Sequence, residues 1–310
     1  MVKALINSLI ELCDSNSDIV LLIADDKEIF DSLHEKFPDR TINIGISECN
    51  AISVGAGFAS CGNIPYIIGG NTFMAYRAYE FIRDQLCMQN RNVKVIGIGA
   101  GMAISVLGNT QHATEDVGAL RALPNLTIMT PATPTEVKET VLQSINVDSP
   151  MFIRIGRASG KDFYEDGIEF CQYAVQEVRK GENIAIFSMG SMVCDALEAA
   201  KILEKKEINV GVVNVHTIKP LDKEALKKLS QFYTKWISVE EHNIVGGLGS
   251  ALSELIVDEE LKVTLKKLGL NETFAKGHGT YDDIKEKNGL SIDDIVNICI
   301  EERKKWWTIE

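Results

Sequence analysis

The sequence predicts an α/β protein, a parallel-sheet domain followed by a smaller α/β domain. Two observations predict it. Short apolar runs alternate with amphipathic segments along almost the whole chain, the pattern of strands buried between covering helices. At 310 residues the chain also exceeds one ordinary core and suits two domains of about 150 residues each.

A short helical pattern containing Glu11 and Asp14 opens the chain. Buried strands are then expected over residues 19–24, 41–46, 64–68, 93–98, 126–130 and 151–155. Amphipathic segments lie between them, among them 75–89 and 134–144. The second of these starts with Thr133 as N-cap, Pro134 at the first helical position and Glu136 in the first turn, each the residue type that position favours. A polar stretch over 156–167 interrupts the alternation. A second series follows, with strands near 183–189, 210–214 and 236–240, helices over 192–205 and 223–229, and a final helix over 292–304. The expected boundary lies between about 160 and 180, giving domains 1–165 and 175–310.

Composition excludes several classes. With 45% apolar and 25% charged residues the chain is neither disordered nor fibrous. A net charge of −12 and the lack of a long Lys/Arg run argue against nucleic acid, whose phosphates need a basic surface. No apolar run approaches a membrane span, and the acidic opening helix does not resemble a signal peptide. The seven cysteines are scattered, with no Cys-x-x-Cys pair. That pattern suits reduced thiols and a cytoplasmic location better than a disulfide frame or a zinc site.

Three features carry chemistry. Glu48 stands alone where an apolar run gives way to a helix of small residues, Ala51 to Ala59. Small residues let a flat group approach the backbone, and an apolar setting makes a carboxyl hold its proton, so Glu48 is a candidate proton donor. Phe73, Tyr76, Arg77 and Tyr79 form an aromatic cluster at the end of the third predicted strand. Gly97–Gly101 leads to a polar loop, Leu107-Gly108-Asn109-Thr110-Gln111-His112-Ala113-Thr114-Glu115-Asp116, which holds the only His of the first half beyond its first 40 residues. All three would fall at C-terminal strand ends, where open α/β sheets bind ligands. The plainer alternatives are a Glu that caps the next helix and aromatic residues that simply fill the core.

These blocks resemble the transketolase superfamily of thiamine-diphosphate enzymes. The stretches 43–57, 73–83, 110–116, 120–125 and 150–157 match its pyrimidine-binding domain in order. Glu240-Glu241-His242-Asn243 with Gly246-Gly247-Leu248-Gly249-Ser250 is similar to its C-terminal domain. No Gly-Asp-Gly followed by Asn, the family's diphosphate and metal motif, is found. The resemblance therefore implies one chain of a split enzyme, an α₂β₂ assembly in which a partner α subunit contributes the diphosphate site and the ligands of Mg²⁺.

It further implies roles for individual residues. The family's Glu hydrogen-bonds N1′ of the aminopyrimidine and favours the tautomer that takes up the thiazolium proton; Glu48 matches it. Phe73 would stack on the pyrimidine with Tyr76 and Arg77 nearby. The family's first His position is Gly99, its Asp is Leu107 and its second His is Gln111, with His112 displaced by one. Either His112 takes the acid/base role or Gln111 meets substrate hydroxyls. The Gln-His order is also similar to 2-oxo acid dehydrogenase β subunits. Arg157 matches a phosphate-binding Arg, with Arg154 close in sequence, and Lys27 follows the first strand where relatives offer a small hydroxyl residue. For Glu240, Glu241 and His242 a capping and interface role is expected. The activity implied is transfer of a two-carbon ketol unit from an anionic ketose to an aldehyde. The alternatives are a deoxyxylulose-phosphate-synthase-like or decarboxylating subunit, or a non-catalytic partner.

Overall fold

Twelve strands in two sheets organise the computed structural model, which describes residues 1–157, 162–164 and 170–304. In chain order they are β1 (Ile19–Ile23), β2 (Thr41–Asn43), β3 (Ile64–Gly70), β4 (Lys94–Ile98), β5 (Thr127–Met129), β6 (Met151–Ile155), β7 (Gln176–Arg179), β8 (Asn183–Ser188), β9 (Gly211–Asn214), β10 (Thr217–Lys219), β11 (Tyr233–Asn243) and β12 (Thr264–Leu270). The first sheet runs β10-β5-β6-β4-β3-β1-β2 and is parallel except at β10. The second runs β12-β11-β8-β9-β7 and is parallel except at β7. A mainly parallel sheet needs both faces covered, and both are.

Alternate residues of one strand serve the two faces. Tyr66 and Ile68 of β3 pack with Leu5, Leu9, Ile29, Leu33, Val137 and Val141 on one side. Ile67 packs on the other with Ala51, Ile52, Ile82 and Leu120. That second cluster continues into the C-terminal half through Phe187, Val213, Trp236 and Leu252, so one apolar layer joins the two sheets. The outer face of the second sheet is covered by the helices Met192–Glu204, Tyr281–Lys287 and Ile292–Lys304.

The predicted capping at the start of the helix Pro134–Ser144 is present, with Thr133 Oγ1 accepting from the Glu136 amide. Two segments depart from expectation. Residues 75–89 are not one α-helix but two π-helical turns, Phe73–Arg77 and Ile82–Cys87, around a short α-helical turn. β10 lies beyond the expected boundary yet pairs with β5 in the first sheet. One small residue of the helix Glu48–Ser60 has a packing role: a Cβ on Gly55 would lie 2.6 Å from Ile67 Cδ1, whereas one on Gly57 would meet nothing within 4 Å. Gly55 thus lets the helix settle on the sheet. The expected break over 156–167 lies partly outside the described residues. No helix among them is long and apolar enough to cross a membrane, and all seven cysteines are free thiols.

Candidate active site

The C-terminal ends of β2, β3, β1 and β4 open on the same edge of the first sheet, since these strands are parallel neighbours. Glu48 begins the helix after β2, Phe73 to Arg77 follow β3, and the loop ending in Asp116 follows β4. The topology therefore gathers residues that are remote in sequence.

Glu48 is buried, 1% exposed, in the first turn of its helix, where helix N–H dipoles favour a negative group. Its setting is less apolar than the sequence suggested, because Arg77 Nη1 donates to Glu48 Oε2 at 2.8 Å. The Arg77 guanidinium also lies 4.7 Å from the centre of the Phe73 ring, a cation–π distance. Glu48 Oε1 is buried and has no hydrogen-bond partner among the described residues. A π-helical turn presents Phe73, Tyr76 and Arg77 together; such turns recur at functional sites.

A cavity of about 220 Å³ adjoins this turn. Tyr76, Thr110, His112 and Glu115 line it, together with Phe274 and Ala275 of the second domain. Tyr76 donates to Glu115 Oε2 and accepts from the Glu115 amide, both at 2.9 Å. Burial, with Asp116 and Glu115 beside it, holds the Tyr76 phenol protonated well beyond its ordinary range. His112 is 3% exposed, and neither ring nitrogen makes a well-formed hydrogen bond among the described residues. Burial lowers its pKa, opposed by the Ile104 backbone and the Glu115 carboxylate. It is therefore held as neutral imidazole, able to donate at one nitrogen and accept at the other.

The other candidates are placed differently. Gln111 is half-buried beside the cavity, and its backbone carbonyl accepts from Thr72 Oγ1 at 2.7 Å. Lys27 is exposed and pairs with Asp31 one helical turn on, at 2.7 Å. Arg157 is exposed, with its guanidinium 5.5 Å from the centre of the Tyr281 ring. Neither cation lines the cavity.

Arg154 is the arginine that the fold buries. Its Nε donates to Asp116 Oδ2 at 2.7 Å, and its Nη2 reaches the carbonyls of Ala113 and Glu241. Asn71 Nδ2 donates to the same Asp116 oxygen at 2.6 Å. That contact requires a glycine, because a Cβ on Gly97 would lie 2.1 Å from Asn71 Oδ1. Glu240 accepts from the amides of Leu248 and Gly249, and Glu241 accepts from Met102, Ser191 and Tyr281. These carboxylates cap a helix and join the domains. Burial raises the pKa of both. Sequence reasoning missed the pairing of Arg154 with Asp116, although an arginine inside the apolar run Met151–Ile155 was the available signal. It had no means of finding Phe274.

Residues 1–161 match the transketolase pyrimidine-binding domain, and residues 173–295 match the transketolase C-terminal domain. The chain belongs to the transketolase family of thiamine-diphosphate-dependent transferases. It is 34% identical over 266 residues to an apulose-4-phosphate transketolase subunit of Actinobacillus succinogenes, covering 86% of each chain. It is 30% identical to a 6-deoxy-6-sulfo-D-fructose transketolase subunit of a Clostridium species, covering 97% of this chain and 94% of that one. A split-gene transketolase solved as an inactive β4 tetramer superposes with a TM-score of 0.88 at 34% identity, covering 96% of both chains.

The residues fit thiamine diphosphate. Glu48 Oε1 is an orphaned buried oxygen, of the kind a ring nitrogen would satisfy, and the Arg77 that holds its other oxygen also lies against the Phe73 ring. No group of three or more His, Cys, Asp or Glu side chains able to hold a metal ion occurs among the described residues.

Proposed function

We infer that the chain is the C-terminal-section subunit of a split transketolase. It would transfer a two-carbon ketol unit from a ketose to an aldehyde, in the cytoplasm, together with a partner α subunit in an α₂β₂ assembly. One observation carries this reading: a buried carboxylate with one oxygen held by Arg77 and the other left without a partner among the described residues, at the sheet edge that also carries Phe73. Relatives named as transketolase subunits support the partner, and the seven free thiols support the compartment.

Each side chain has a task in this reading. Glu48 Oε1 would hydrogen-bond a nitrogen of the pyrimidine ring, and Arg77 fixes the carboxyl group through its other oxygen. Phe73 orients the ring by stacking. Thiamine diphosphate would supply the electron sink that ketol transfer requires, and the partner would supply the hard oxygen ligands that Mg²⁺ needs. His112 exchanges a proton with the substrate as general acid and base. Gln111 is the alternative contact for a substrate hydroxyl. Tyr76 positions Glu115.

The test is reconstitution with the partner subunit, thiamine diphosphate and Mg²⁺. Ketose donors should be turned over and pyruvate should not. Glu48→Gln should lower kcat by about 10²–10⁴, the usual range for loss of a positioned proton-transfer group, and calorimetry should report weaker cofactor binding. Turnover of pyruvate, or full activity of Glu48→Gln, would overturn the reading.

A further inference from the structure

The cavity beside Tyr76 has a chemistry that the ketol-transfer reading alone does not supply. Its hydrogen-bonding wall combines hydroxyls, an amide, a neutral imidazole and one carboxylate, and none of its lining residues is Lys or Arg. Groups that can both donate and accept suit sugar hydroxyls. Phosphate sites are instead built from Arg, Lys or helix N-termini. Glu115 is held by two hydroxyls, Tyr76 at 2.9 Å and Thr114 at 2.7 Å, with no ion pair among the described residues. A phosphate placed there would meet an uncompensated like charge. His112 adds a second, independent sign of a ligand, since neither nitrogen of its buried ring makes a well-formed hydrogen bond among the described residues. At about 220 Å³ the cavity is smaller than the ~300–1,000 Å³ of sites for drug-sized ligands, so it suits a fragment of a few carbons.

The outer wall comes from the second domain. Phe274 lines the cavity although 72% of it is exposed. The backbone that carries it is anchored. Ala275 is buried in the second domain's core, the Lys276 amide donates to Asn288 Oδ1 at 2.7 Å, and Gly279 donates to the Ser105 carbonyl at 3.4 Å. An apolar ring on a fixed loop at the mouth of a polar cavity acts as a ruler. It limits how far a chain of hydroxyls extends without offering it a hydrogen bond.

Resting on the ketol-transfer reading, we propose that this cavity receives an uncharged, hydroxyl-bearing portion of the sugar substrate, and that Phe274 sets the length it accepts. Glu115 excludes anions from it.

The experiment uses the enzyme assembled with its partner subunit, with glycolaldehyde, D-erythrose, D-ribose and D-erythrose 4-phosphate as acceptors. The wild type should favour erythrose over its 4-phosphate in kcat/KM. Glu115→Gln, which keeps an oxygen for Tyr76, should shift that ratio toward the phosphate by about tenfold. Phe274→Ala should raise kcat/KM for ribose relative to glycolaldehyde by about tenfold, and Phe274→Trp should do the reverse. Ratios within twofold of wild type in all three variants would overturn the proposal. An assembly that transfers ketol units to none of these aldehydes would sink the ketol-transfer reading instead. The cavity is then judged by saturation-transfer NMR with D-erythrose: a signal abolished by Phe274→Trp supports the proposal, and no signal with the wild type overturns it.

Discussion

Arg77 holds Glu48 from 29 residues away in sequence, donating to Oε2 at 2.8 Å while its guanidinium lies over Phe73. The carboxylate is 1% exposed and the arginine side chain 51% exposed. Removing a partner from a fully buried pair costs about 3–5 kcal/mol. Water around Arg77 reduces that, so Arg77→Ala should lower stability by about 1–2 kcal/mol. Urea unfolding of the chain measures it. An unchanged midpoint would mean that the pair is only a surface contact.

A larger effect is expected at the domain junction. Asp116 and Arg154 are 0% and 3% exposed and 2.7 Å apart. Asp116→Asn leaves the guanidinium buried without its counter-charge and should cost about 3–5 kcal/mol. Asp116→Asn with Arg154→Met removes both charges and should recover part of the loss. A double-mutant cycle in urea reads the coupling.

Glu136 makes stability depend on pH. It is buried, its Oε2 accepts from the Ala132 amide at 2.7 Å, and Tyr164 and Asn214 contact its other oxygen. Burial pushes its pKa from 4.5 to about 7. With the folded value above the unfolded one, its contribution is fully present below pH 4.5 and is lost as pH rises through about 7. The loss is roughly 3 kcal/mol at about 1.36 kcal/mol per pH unit. Glu136→Gln cannot ionise, so its stability should change less between about pH 5 and 8 than that of the wild type. Equal changes in both proteins would remove Glu136 as the cause.

Gly97→Ala tests how the Asn71 side chain is placed. The new Cβ would meet Asn71 Oδ1 at 2.1 Å and the Asn71 Cα at 3.0 Å, so Asn71 must leave Asp116. A loss of about 1–3 kcal/mol is expected, within the range for overpacking. Asn71→Ala in the same background should make the substitution less costly. If it does not, the clash lies elsewhere.

Much of the architecture was legible because it rests on local pattern. The helices Pro134–Ser144, Lys223–Leu229 and Ile292–Lys304 and the strand Met151–Ile155 have the limits that periodicity and caps suggest. β12 escaped notice because Lys266 and Lys267 interrupt its apolar run, as an edge strand allows. The π-helical turns have the same residue types as an α-helix, so nothing local announced them. The site was legible as three separate blocks. Their joining was not, because the contacts between Arg77 and Glu48, Arg154 and Asp116, and the cavity and Phe274 are products of tertiary structure.

β10 has a consequence for how this protein could be divided or recombined. Its three residues come from the second half of the chain, yet they complete the margin of the first sheet against β5. A truncation ahead of Thr217 would strip the β5 flank of its neighbour and leave open amide and carbonyl groups, an invitation to aggregation. Any graft of a foreign C-terminal half must carry an equivalent of this strand, and the two halves should melt as a single cooperative unit.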